Sequence, residues 1–390
     1  MNDQLYWIWL SMALGAGART DEIMSAFPHP RALYETDRTG RLLSGVFTGS
    51  QLDRLEKTTL QAAAHAAELC ARNGWRICTP QDAGYPVLLK SLVDQPLALY
   101  CDGEMDFLNR RVAVGVVGTR KPTVESLNIA RRISADMAAA GAVIVSGGAL
   151  GIDSAAHEGA LLANGKTVCV MGCGLGVDYL RENEALRREI RQNGALISEF
   201  PPFTPASRFT FPTRNRLISG MSCGVLVVEA GEKSGSLITA RRANEQGREV
   251  FAIPGSVLTS AYKGVNRLIR DGAKAVTCAE DVLDAFAMMY PDRLDLTAAG
   301  QFSQAAAPAQ PTQPAAPAAS AAQTTKKIPA APLDPDAACV YNLFGSAPLH
   351  PDEIAAATGL PPARLIPVLL QLTLADLIAP TEGGCYILAG

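Results

Sequence analysis

The run Phe209-Thr210-Phe211-Pro212-Thr213-Arg214-Asn215-Arg216 sets two guanidinium groups around an amide, directly after two aromatic rings. Guanidinium forks grip phosphates bidentately and stack on bases, and aromatic rings stack bases of any sequence. On an ideal helix Arg214 and Arg216 stand about 200° apart, so both face one ligand only where the helix starts irregularly; otherwise one is structural. Two glycine-rich loops point to the same chemistry. Gly118-Thr119-Arg120 follows an apolar run, and Ser146-Gly147-Gly148 follows the next and leads into Ala149-Leu150-Gly151-Ile152-Asp153. Glycine lets a backbone approach a phosphate closely, and a following helix start supplies free amides. Ser234-Gly235-Ser236 repeats the pattern, and Tyr179, Arg181 and Asn183 add a ring, a cation and an amide at the entrance to another helix.

Catalytic constellations are poor by comparison. Asp153, Ser154 and His157 lie close together, but an Asp at a helix start is ordinarily a cap and a His one turn on is ordinarily packing. Gly172-Cys173-Gly174-Leu175-Gly176-Val177 fails the dinucleotide fingerprint, because Val177 stands where glycine or alanine is needed and the segment follows a third strand instead of a first. No Walker A order or HExxH is present. The nine cysteines form no CxxC pair and the four histidines are dispersed, which suits reduced thiols in a cytoplasm and no metal site. No stretch of 18 uncharged apolar residues and no signal peptide is read, so a cytoplasmic, non-membrane protein without a cofactor is expected.

The elements that position these residues follow from periodicity. Six short apolar runs (VAVGVV, AVIVSG, TVCVMG, ALISEF, GVLVVEA, EVFAIPG) alternate with helical segments from Arg111 onward. Continuous β-branched runs separated by helices indicate a doubly wound, Rossmann-like parallel sheet, whose ligands sit beyond the carboxyl ends of the strands. Residues 1–75 are expected to be a helical domain. Its turn Leu14-Gly15-Ala16-Gly17 is compatible with a helix-hairpin-helix that presents amides to phosphate, although a plain structural helical domain is the commoner explanation. Residues 76–290 form the Rossmann-like domain, 291–333 an Ala/Pro-rich linker, and 334–390 a small C-terminal module. The net charge of −3 conceals segregation. Residues 206–275 carry eleven Lys or Arg against five acids, whereas residues 334–390 carry Arg364 against six acids. An anion belongs on the first of these.

Taken together, these segments resemble the DNA-processing protein A (DprA/Smf) family. The residues that carry the resemblance are VGTR at 117–120, SGGALGID at 146–153, ISEFPP at 197–202, FPTRNRLISGMS at 211–222, VVEAGEKSGSLITA at 227–240, GREVFAIPGS at 247–256 and GVNRLIRDGA at 264–273. The resemblance implies a non-catalytic homodimer that binds single-stranded DNA and loads the RecA recombinase onto it in natural transformation and recombination. It places Gly118, Thr119, Arg120, Ser146, Gly147, Gly148, Arg214, Asn215 and Arg216 in the DNA pocket, with Arg181 at a basic position after the third strand. There the family commonly has Tyr-Pro and this chain has Tyr179-Leu180, so a different local turn is expected. The tail resembles a winged helix, and its acid surplus suits contact with protein better than with duplex DNA. The alternative is a nucleotide-processing enzyme of the similar phosphoribohydrolases. Their catalytic glutamate has no counterpart among Ser234 to Ala240.

Overall fold

The computed structural model describes residues 3–302, 334–344, 349–375, 377–380 and 385–388. Residues 3–302 belong to one compact unit and the C-terminal segments to a second.

The chain opens with six helices: α1 (Gln4–Leu14), α2 (Asp21–Ala26), α3 (Pro30–Glu35), α4 (Arg38–Leu43), α5 (Gly49–Lys57) and α6 (Leu60–Arg72). Asp37, Thr48 and Thr59 cap the last three by accepting amide hydrogen bonds, which stops each preceding helix from running on. Trp7, Ile8, Trp9 and Leu10 of α1 are all buried, because the short helices around it cover more than one of its faces. In the Leu14–Gly17 turn, the two glycine amides are taken up within the protein, that of Gly15 by the Ser11 carbonyl at 2.9 Å. The Gly17 amide donates to the Glu199 carboxylate at 3.4 Å, and a Cβ at Gly17 would lie 2.8 Å from Thr213. The hairpin is therefore a docking device between the helices and the body.

The sheet has nine strands in the order β1-β2-β6-β5-β4-β3-β7-β8-β9. They are β1 (Arg76–Cys78), β2 (Leu99–Gly103), β3 (Ala113–Val117), β4 (Val143–Ser146), β5 (Thr167–Val170), β6 (Gly194–Ser198), β7 (Gly224–Val227), β8 (Glu249–Ala252) and β9 (Lys274–Ala275). All six expected parallel strands, β3 to β8, are present. Two antiparallel strands extend the β6 edge, with Tyr100 opposite Ser198 and Ile77 opposite Tyr100. Helices α7 (Val124–Ala139), α8 (Ile152–Leu162), α9 (Glu184–Asn193), α10 (Thr210–Gly220), α11 (Ser236–Glu245) and α12 (Lys263–Arg270) connect the strands, and α13 (Glu280–Ala287) follows β9. Two buried clusters cover opposite faces of the sheet, one built on Val117, Val145 and Val225, the other on Val116, Ile144 and Leu226. That alternation explains why the strands read as unbroken apolar runs.

From β3 the chain winds outward through β4, β5 and β6, then returns along α10 to place β7 on the other side of β3. The order reverses between β3 and β7, and in such sheets the crevice at the reversal is where ligands sit.

The linker begins later than residue 291. Leu294 and Ala299 pack on the α7 side of the sheet, and the Phe302 amide donates to Asp136 at 2.8 Å. Residues 303–333, the remainder of the expected linker, lie outside the described residues. The C-terminal unit contains α14 (Pro335–Leu343), α15 (Pro351–Thr358) and α16 (Pro362–Leu374), followed by an antiparallel pair, β10 (Ile378–Pro380) and β11 (Tyr386–Leu388). Val340, Ile354, Leu365, Leu369 and Leu372 fill its core. Ile366, Leu370 and Leu374, spaced by four on the outer side of α16, are exposed, and Arg364 lies 3.6 Å from Asp336. No single helix among the described residues is long and apolar enough to cross a membrane.

Candidate functional site

A cleft of about 480 Å³ opens at the β3/β7 reversal. The loops after β3, β4 and β7 and the start of α10 line it with Gly118, Thr119, Arg120, Ala149, Asp153, Arg208, Phe211, Arg214, Asn215 and the Ser234–Ser236 turn. Five of the ten expected residues therefore meet there: Gly118, Thr119, Arg120, Arg214 and Asn215. Gly118 has to be glycine, since a Cβ would lie 2.5 Å from Ile152. The exposed Arg120 guanidinium lies over the Phe211 ring at 5.2 Å, and Phe211 in turn meets Tyr179 at 5.4 Å. Arg208 rests on the outward-facing Phe209 ring at 4.8 Å. Neither Arg120 nor Arg208 has a carboxylate within 4 Å among the described residues. Sequence reasoning passed over Arg208, which precedes the arginine pair in an aperiodic loop; its only signal was the aromatic residue beside it.

Several of the expected residues serve the framework. Arg216 is 2% exposed, and its Nη2 donates to both Glu199 oxygens at 2.6 and 2.5 Å. Its Nε lies 3.4 Å from Asp94 without the alignment of a hydrogen bond. Burial raises the Glu199 pKa, and Arg216 opposes that shift. Arg216 thus faces inward, as the helical geometry requires of one arginine of the pair. Arg214 reaches the cleft with only an edge. At 4% exposure its Nη1 donates to the carbonyls of Gly147, at 2.7 Å, and Val170, tying the ends of β4 and β5 together. Its Nε donates to Asn215 Oδ1 at 3.2 Å.

The Ser146-Gly147-Gly148 loop lies behind the cleft wall. Ser146 Oγ donates to the Val116 carbonyl, joining β4 to β3. A Cβ at Gly147 would strike the Arg214 guanidinium, and one at Gly148, where φ is +66°, would strike Cys169 Sγ. Its glycines accommodate side chains, and beyond them Ala149 and Asp153 line the cleft. Arg181 also lies outside the cleft lining, exposed and paired with Asp178 in its own turn. The preceding Leu180 adopts φ +51°, which proline cannot, so the local turn does differ from Tyr-Pro. Asn183 bonds the Gly148 carbonyl and Ser154 Oγ. The glycines at 172, 174 and 176 make room for Phe211, Pro201 and Phe203.

Asp153, Ser154 and His157 form no catalytic relay. Ser154 donates to the Ala149 carbonyl. Thr167 Oγ1 donates to the Ile144 carbonyl, so His157 Nδ1, 2.7 Å away, must carry the proton. His157 Nε2 is buried without a partner among the described residues, and desolvation drives the imidazole pKa down to about 3. Burial also raises the pKa of Asp153, partly offset by the nearby Arg214. The unfolded chain protonates its imidazole below about pH 6.5 while the folded chain does not, so the contribution of His157 to stability falls as pH drops from 6.5 toward 3. From pH 7.5 to 5.0 that loss is about 2 kcal/mol. Asp153 and Glu199, with raised pKa values, act in the opposite direction, so a comparison with His157→Gln isolates the imidazole. The urea midpoint of the parent should fall further between these two pH values than that of the variant; equal shifts would mean that the ring is not held neutral.

The fold and cleft define a Rossmann-like, doubly wound protein with a cation- and aromatic-rimmed crevice at its switch point. Residues 76–287 match the DNA recombination-mediator protein A family, and residues 305–384 match the DprA winged helix domain. The chain is 31% identical to protein Smf of Synechocystis over 404 residues, covering 99% of this chain and 98% of that protein. It is 44% identical to the DNA processing protein DprA of Bacillus subtilis over 200 residues, 51% of this chain and 67% of that protein. The crystal structure of Streptococcus pneumoniae DprA superposes with a TM-score of 0.62 at 31% identity, covering 73% of this chain and 98% of that one. A solved structure of Helicobacter pylori DprA, which concerns that protein's single-stranded DNA binding mode, gives 0.50 at 32% identity, covering 55% and 97%. The chain belongs to the DNA recombination-mediator protein A (DprA/Smf) family.

Proposed function

We propose that the protein binds single-stranded DNA without altering it, holds the strand's phosphates at the switch-point cleft, and as a homodimer passes the strand to a RecA-class recombinase during transformation or recombination. One observation carries this reading: Arg120 and Arg208, each against an aromatic ring and without a carboxylate partner among the described residues, stand at the cleft where doubly wound sheets bind ligands. Binding of single-stranded DNA by the Helicobacter pylori relative supports the ligand class. The absence of a nucleophile–base pair around Asp153 supports a non-catalytic role, and turnover of nucleoside monophosphates by the pure protein would refute it. The outer side of α16, with three exposed apolar residues and its arginine beside Asp336, supports contact with protein for the winged helix.

The test measures binding of a fluorescent dT30 strand and of a 30-base-pair duplex from 50 to 200 mM salt, with RecA filament formation scored in the same samples. Two phosphate contacts, from Arg120 and Arg208, give a slope near −1.4, so single-strand affinity should fall about sevenfold across that range, and the duplex should bind more weakly throughout. Salt-independent binding, or equal preference for duplex, would overturn the cleft reading. Filament formation unchanged by the protein would remove the mediator step.

A further inference from the structure

Arg120 has no ion pair to hold it, so its place at the cleft depends on the backbone that carries it. That backbone, residues 118–123, is fastened from one side by a buried polar network. The Thr119 amide donates to the Glu229 carbonyl at 2.8 Å, and the Thr123 amide and hydroxyl both donate to Glu229 Oε2 at 2.9 Å. Since the Thr123 proton goes to Glu229, its oxygen accepts: from the Ser126 amide at 3.2 Å and from the Tyr262 hydroxyl at 3.2 Å. The Tyr262 hydroxyl in turn accepts from Ser126 Oγ at 3.0 Å. Glu229, Ser126 and Tyr262 are all buried, and the Tyr262 ring lies so close to Gly255 that a Cβ there would sit 2.1 Å from its carbons.

Glu229 has no cation within 4 Å among the described residues. Burying a carboxylate against neutral donors alone is unfavourable, and an apolar residue would fill the space at less cost. Fixing the loop is what the arrangement achieves. We infer that Glu229 and Tyr262 are positioning residues for Arg120, a brace from the end of β7 and the 260–262 turn that holds the guanidinium over Phe211. The inference rests on the reading that the cleft binds DNA phosphates.

A double-mutant cycle on the full chain tests it, with dT30 affinity measured from 50 to 300 mM salt and thermal unfolding followed alongside. Tyr262→Phe removes one link of the brace and should weaken binding about fivefold, the worth of one hydrogen bond. It should also flatten the salt slope toward that of Arg120→Ala, by up to about 0.7, the share of one phosphate contact. The double variant should bind no more weakly than Arg120→Ala alone. Thr123→Ser, which keeps both the hydroxyl and the amide, should bind like the parent, and Thr123→Val should behave like Tyr262→Phe. Penalties that multiply in the double variant, or an unchanged salt slope in both Tyr262→Phe and Thr123→Val, would overturn the positioning role. If Arg120→Ala itself binds like the parent, the cleft reading is what fails.

Discussion

Glu199→Ala should destabilise the protein by about 3–5 kcal/mol, the range for breaking a buried ion pair by removing one partner. The Arg216 guanidinium would remain 2% exposed with both hydrogen bonds to Glu199 gone and only the poorly aligned Asp94 nearby. The Gly17 amide would lose its acceptor in the same step, loosening the docking of the N-terminal helices. Thermal unfolding should shift down by on the order of 10 °C in a unit of this size. Replacing both partners, as Glu199→Leu with Arg216→Met, should restore most of the loss, because the cost lies in the stranded charge and not in the missing pair. A single variant that melts with the parent, or a double variant as unstable as the single, would show that the pair is not the buried strut described here.

The parallel sheet was legible because its strands are buried on both faces and carry an unbroken apolar signal. β2 was not: Leu99–Gly103 pairs with the sheet edge through a five-residue segment ending in Asp102-Gly103, too short and too polar at one end to show a period. The cleft was legible to the level of loops. Glycines mark where backbone or side chains approach closely, but the sequence does not say what approaches. At Gly118 the neighbour is Ile152, at Gly147 it is the Arg214 guanidinium, and at Gly148 it is Cys169. Arginine is equally ambiguous, because its charge suggests a ligand while its five donors also suit it to tying carbonyls together inside a protein. Arg216 and Arg214 resolve to that second use only once Glu199, Gly147 and Val170 are seen around them. Arg208 resolves the other way, for want of any such partner among the described residues.

That division among arginines predicts two kinds of binding defect. Arg120→Ala with Arg208→Ala should lower affinity for dT30 about 100-fold at 100 mM salt, from two charge-assisted contacts worth about 1.4 kcal/mol each. Both side chains are exposed and tie nothing together, so the melting temperature should stay within a degree or two of the parent's. Arg214→Ala should also weaken binding, but by a different route. The Gly147 and Val170 carbonyls would lose their buried donor, and Asp153 would lose the strongest of the interactions that oppose its desolvation. Its defect should therefore come with a large loss of stability. Measuring affinity and melting together separates the cases. Unaltered binding by the Arg120/Arg208 variant would place the DNA elsewhere on the molecule. Full stability with lost binding in Arg214→Ala would make that buried arginine a contact residue after all, one that turns outward when DNA arrives.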